Sequence, residues 1–105
     1  MAGRPRKAVD ERLYLSKAKG QGLLRREIWV DEKGLVVRYN LAFINPLMCP
    51  LDNGRVLGYD SAHGRHHRHF MGETTSVRFK SFSEIERRFQ HEWQALVRER
   101  RDAKD

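Results

Sequence analysis

L-L-R-R-E-I-W-V (Leu23–Val30), D-E-K-G (Asp31–Gly34) and L-V-V-R-Y-N-L-A-F (Leu35–Phe43) read as two strands joined by a turn. Both outer runs are rich in β-branched and aromatic residues, which fit a pleated, half-buried surface. In the first run Leu24, Arg26, Ile28 and Val30 fall on one side and Arg25, Glu27 and Trp29 on the other, the two-residue period of a strand with one face buried. The turn has type I character, and Gly34 stands where a bulge asks for positive φ.

Working outward toward the C-terminus, Asn45–Asn53 holds two prolines and no regular period, so it is expected to be a connecting loop. Arg55–Tyr59 is expected as a short strand, Asp60–Gly64 as a turn, His66–Met71 as a returning strand and Thr74–Phe79 as an edge strand. Lys80–Arg101 is the clearest helix. Ser81 and Glu84 fit a capping box, and Ile85, Phe89, Trp93, Leu96 and Val97 draw one apolar stripe at helical spacing. The fold class expected is α+β: a small antiparallel sheet of about four strands, with the C-terminal helix packed on one face.

Toward the N-terminus, Gly20-Gln21-Gly22 breaks the chain, and Asp10–Lys19 fits either a short helix capped by Asp10 or an irregular strand. Residues 1–9 are small, polar and basic and are expected to form a flexible arm, leaving residues 10–105 as a single α+β domain. No internal repeat or low-complexity block interrupts that domain.

A chain of 105 residues has room for one modest core, so the stability margin is thin and a homodimer or a cognate partner would contribute to it. The formal charge is +7, and up to residue 26 eight cations stand against two acids. Such a field attracts polyanions, RNA or DNA first and an acidic protein second. Arg4, Arg6, Lys7, Arg25, Arg26, Arg65 and Arg68 are the candidate nucleic-acid contacts. One cysteine, Cys49, allows no internal disulfide, which suits a reducing cytoplasm. No apolar stretch approaches membrane-spanning length.

The stretch Y-D-S-A-H-G-R-H-H-R-H-F, Tyr59–Phe70, gathers four of the five histidines with two arginines and an acid. Three chemistries compete for it. Imidazole titrates near neutrality, so a pair can hold one base and one acid for metal-free phosphodiester cleavage while an arginine fork binds the phosphate. If His66–Phe70 is extended, His67 and His69 share a face with Arg65, and His66 and Arg68 share the other. His67 and His69 are then the candidate base and acid, Arg65 or Arg68 the phosphate ligand, and His63 and Asp60 the orienting groups. A metal site built from Asp60, His63 and His67 is the second reading, disfavoured by the flanking arginines and by the lack of zinc-ligand spacing. No metal and no cofactor are expected. The third reading is a docking surface without catalysis.

The run Tyr59–Met71, followed by Phe79, Ser81-Phe82 and the Phe89/Trp93 helix, resembles the TumE family of toxin–antitoxin components. Asp60, His63, Gly64, His67, Arg68 and His69 occupy the places of that family's aspartate-containing turn, His-Gly step and H-R-H run, with Ser61 where an asparagine is common. The resemblance implies a small toxin in the bacterial cytoplasm, encoded beside a helix-turn-helix DNA-binding antitoxin. It implies no particular reaction. Endoribonuclease activity is read from His67, Arg68 and His69, with a non-catalytic nucleic-acid-binding or protein-interaction module as the alternative.

Overall fold

A computed structural model describes residues 4–102. Six strands run in sequence order as one antiparallel meander: β1 (Arg6–Tyr14), β2 (Leu23–Val30), β3 (Val36–Ile44), β4 (Arg55–Ala62), β5 (Arg65–Phe70) and β6 (Glu73–Ser76), followed by the helix α1 (Phe82–Asp102). The α+β class and the single helix on one face match expectation. Six strands stand where about four were expected: β1 adds one at the N-terminal edge, and at the other edge β6 overlaps the strand expected over Thr74–Phe79.

The β2–β3 turn forms as its residues dictate. The Asp31 carboxylate accepts from the amides of Lys33 at 2.9 Å and Leu35 at 3.0 Å, and Gly34 takes the expected positive φ of 82°, with a second irregularity at Val37, between the Trp29↔Arg38 and Val30↔Val36 pairs. Between β4 and β5 the turn is only two residues long. His63 (φ 53°) and Gly64 (φ 74°) both take positive φ, the type I′ geometry whose twist matches its strands. Asp60 therefore lies inside β4 rather than in the turn expected over Asp60–Gly64.

The N-terminal expectation is corrected more strongly. The flexible arm expected over residues 1–9 gives way to a strand from Arg6, and residues 1–3 lie outside the described residues. Lys7 explains why so polar a segment is ordered: its ammonium meets Glu27 at 2.5 Å and Asp10 at 3.2 Å, across and along the sheet. β1 pairs with β2 from Arg6↔Val30 to Tyr14↔Leu23, which resolves Asp10–Lys19 as strand and then a short 3-10 turn at Lys17–Lys19.

The core lies between the sheet and α1. Tyr39, Leu41 and Phe43 from β3 and Leu57 and Tyr59 from β4 face Ile85 and Phe89, and all of these are buried. The Ser81 hydroxyl accepts from the Glu84 amide at 3.2 Å and fixes the helix start. Two further clasps hold the layer together. Arg26 on β2 pairs with Glu11 at 2.6 Å and with Glu86 of the helix, while Arg68 on β5 pairs with Glu92 at 2.5 Å. No helix among the described residues is long and apolar enough to cross a membrane.

Ile85 and Phe89 are the helix residues with no exposed surface, so the layer depends on them. Phe89→Ala is expected to cost about 3–5 kcal/mol through lost burial and the cavity left behind. Equilibrium urea unfolding followed by circular dichroism checks it, with Gln94→Ala on the exposed side of the helix expected to change stability little.

Candidate functional site

Because α1 covers one face, side chains of the opposite parity form an open face, and the register aligns them in rows. One row crosses the entire sheet: Asp10, Glu27, Asn40, Asp60, His67 and Ser76 are successive cross-strand partners. In its left half Glu27 accepts from Lys7 at 2.5 Å, Asn40 Nδ2 at 3.1 Å and Arg25 at 3.2 Å. The Lys7 hydrogen bond, helped by Asn40 and Arg25, holds the Glu27 carboxyl below its ordinary range despite burial. Asn40 Oδ1 is buried without a hydrogen-bond partner among the described residues.

The right half of the row is the candidate site. Asp60 sits between two imidazoles of β5: its Oδ2 meets His69 Nε2 at 2.9 Å, and its Oδ1 lies 3.7 Å from His67 Nδ1. The two rings are 6.4 Å apart. Arg55 reaches the same carboxylate at 3.5 Å, its stem passing over Gly58, where a Cβ would meet Arg55 Cδ at 2.8 Å. A side chain at position 58 would push that guanidinium aside. The second oxygen-bearing partner of His69 is Thr74, whose hydroxyl lies 3.1 Å from Nδ1. His69 is thus engaged through both ring nitrogens and is 12 % exposed, whereas His67 is 29 % exposed and more open to a substrate.

Alternation along β5 separates the remaining candidates as expected. Arg65 shares the open face with His67 and His69 and is exposed, with no ion pair among the described residues. Arg68 is a correction: it lies on the helix side, where Glu92 and the Tyr59 hydroxyl, 3.1 Å from its Nε, hold it away from the imidazoles. Tyr59 is pushed up by burial and by its bond to Glu92, so it stays a hydroxyl donor to that carboxylate. His63 stands exposed at the hairpin tip and makes no hydrogen bond to Asp60.

The candidate nucleic-acid contacts divide likewise. Arg26 faces the helix and is taken by Glu11 and Glu86, and Lys7 and Arg25 are taken by Glu27. Arg4 and Arg6 are exposed. Sequence reading passed over Arg55, Asn40 and Arg38. Arg38 stacks its guanidinium 4.6 Å from the centre of Trp29, with Lys7 5.1 Å from that same ring. Only the strand register reveals that Asn40 adjoins Asp60, although the alternation in Leu35–Phe43 put Asn40 on the face opposite Tyr39 and Leu41.

His66 has a different part. Its ring stacks on Phe79 at 4.0 Å and 11°, and Nδ1 lies 2.8 Å from the Tyr39 hydroxyl. Burial, with the neighbouring His67, lowers its pKa, and burial pushes Tyr39 up to about 12, so a neutral imidazole meets a protonated phenol.

The chain matches no family model, no curated protein and no solved structure.

A histidine whose folded pKa is depressed takes up its proton more readily unfolded, so its contribution to stability is present above the unfolded pKa near 6.5 and is lost as pH falls. His66→Phe keeps the stack but gives up the Tyr39 hydrogen bond. The stability gap between wild type and this variant is expected to shrink from pH 7.5 to pH 5, measured by urea midpoints at each pH. A constant gap would show that His66 does not titrate with folding.

Proposed function

We propose that this chain is the toxin of a toxin–antitoxin module and an endoribonuclease that needs no metal ion, working on the open face of its sheet. The observation that carries the catalytic reading is the Asp60 carboxylate set between His67 and His69, with one oxygen toward each ring. A carboxylate in that place orients imidazoles for proton transfer. The toxin role and the helix-turn-helix antitoxin partner come with the resemblance of Tyr59–Met71 to the TumE family.

In this mechanism His67, the more exposed ring, accepts the proton of a ribose 2′-hydroxyl. The 2′-oxygen attacks the adjacent phosphorus and forms a cyclic phosphate as the bond to the 5′-oxygen breaks. His69 supplies the proton to that leaving oxygen through Nδ1, when the substrate displaces Thr74 from it. Arg65, exposed on the same face, borders the phosphate and offsets its developing charge. Asp60 holds the His69 ring by a hydrogen bond and faces His67 at 3.7 Å, and is a positioning residue. Arg68 has no place in this scheme, since Glu92 keeps it on the other face.

A specific observation favours a second reading. With both His69 nitrogens engaged inside the protein, the open face also suits RNA binding without scission, driven by Arg65, Arg38 and the basic N-terminal residues.

Purified chain incubated with total RNA in EDTA separates the two. Cleavage that persists in chelator is expected, with His67→Ala and His69→Ala each lowering the rate by about 10²–10⁴-fold and leaving the circular dichroism spectrum unchanged. Undiminished cleavage in both variants removes these residues from the mechanism. Salt-dependent binding with no new RNA ends, weakened by Arg65→Ala, establishes the binding module instead.

A further inference from the structure

On the helix side, two adjoining clefts flank the last turns of α1 where it passes the Lys17–Lys19 turn and the end of β1, with volumes of about 430 and 210 Å³. They share Ala18, Val97 and Arg101 and form one groove. Its floor is apolar: Leu15, Trp93 and Val97 are half-buried, while Leu13 is 58 % exposed. A small protein seldom leaves apolar side chains of this size together in water unless something covers them.

The rim decides what fits. Lys17, Lys19, Arg98, Arg100 and Arg101 line the two clefts, and among the described residues no carboxylate does. Lys7, Arg25, Arg26, Arg55 and Arg68 each face an acid, whereas none of the five rim cations forms an ion pair among the described residues. An apolar floor inside an unneutralised cationic rim complements a peptide that presents apolar side chains flanked by carboxylates. RNA matches the rim but offers the floor no aliphatic side chains.

We propose that this groove docks an acidic amphipathic segment of a partner protein, with its apolar side chains over Leu13, Trp93 and Val97 and its carboxylates on Lys19, Arg98 and Arg101. The site is independent of the catalytic reading. It lies on the side of the sheet opposite Asp60 and His67, so the two faces can be filled together.

Trp93 serves as the reporter. The chain has two tryptophans, and Trp29→Phe removes the one on the open face. The probe is a synthetic helical peptide of leucines at i, i+3, i+4 and i+7 with glutamates between, titrated while Trp93 emission is followed. Saturable binding at micromolar peptide is expected. Lys19→Glu with Arg101→Glu is expected to weaken it about tenfold or more, and Leu13→Asp to weaken it likewise, with unfolding midpoints confirming that each variant is folded. A leucine–lysine peptide and polyglutamate are expected to leave Trp93 unchanged. Absence of binding up to millimolar peptide overturns the proposal, as does polyglutamate binding as well as the amphipathic peptide. An oligoribonucleotide that saturates the groove and displaces the peptide overturns it in favour of RNA.

Discussion

One helix buries one face of one sheet, and the remaining organisation follows from that. Ile85 and Phe89 seal against the aromatic and aliphatic side chains of β3 and β4, so the central strands have one side against the helix and one side away from it. Since the register is continuous across six strands, the sides away from the helix assemble into rows, and polar groups far apart in sequence become neighbours. Asp10, Glu27, Asn40, Asp60 and His67 are a product of this geometry rather than of any local motif. A slip of one residue in any strand would send its polar set into the core.

Charge is distributed by the same division. The overall excess of cations suggests a uniformly attractive surface, yet many of the arginines and lysines are structural. Arg26 and Arg68 tie sheet to helix through Glu86 and Glu92, and Lys7 ties β1 to β2 through Glu27. Pairs of this kind, partly shielded from water, hold geometry more than they add stability. Cations without an ion pair among the described residues include Arg4 and Arg6, Arg38 and Arg65 on the open face, and Arg98, Arg100 and Arg101 at the end of α1.

The local signals in the sequence were the readable ones. The strand over Leu23–Val30, the bulged turn at Gly34 and the Ser81 cap appear where period, glycine placement and capping chemistry put them, because each is decided within a few residues. The split of β5 into a His67/His69/Arg65 side and a His66/Arg68 side was legible for the same reason. Partners distant along the chain were not. The polarity of Arg6–Lys7 suggests an arm until Glu27 supplies a counter-charge twenty residues on, and the edge strand expected over Thr74–Phe79 is cut to Glu73–Ser76, the residues that pair with β5. Arg68 reads as a phosphate ligand until Glu92 is seen beside it, and His69 as a free proton carrier until Asp60 and Thr74 are.

The shortness of β6 bears on the behaviour of its neighbour. Four fully exposed residues at a sheet margin open at small energetic cost, well before the rest of the structure loosens. An opening of β6 would withdraw Thr74 from His69 and leave β5 as the outermost strand. Amide exchange along β5 should therefore run faster than along β3, and the hydrogen bonding of His69 depends on a margin that contributes nothing to the core.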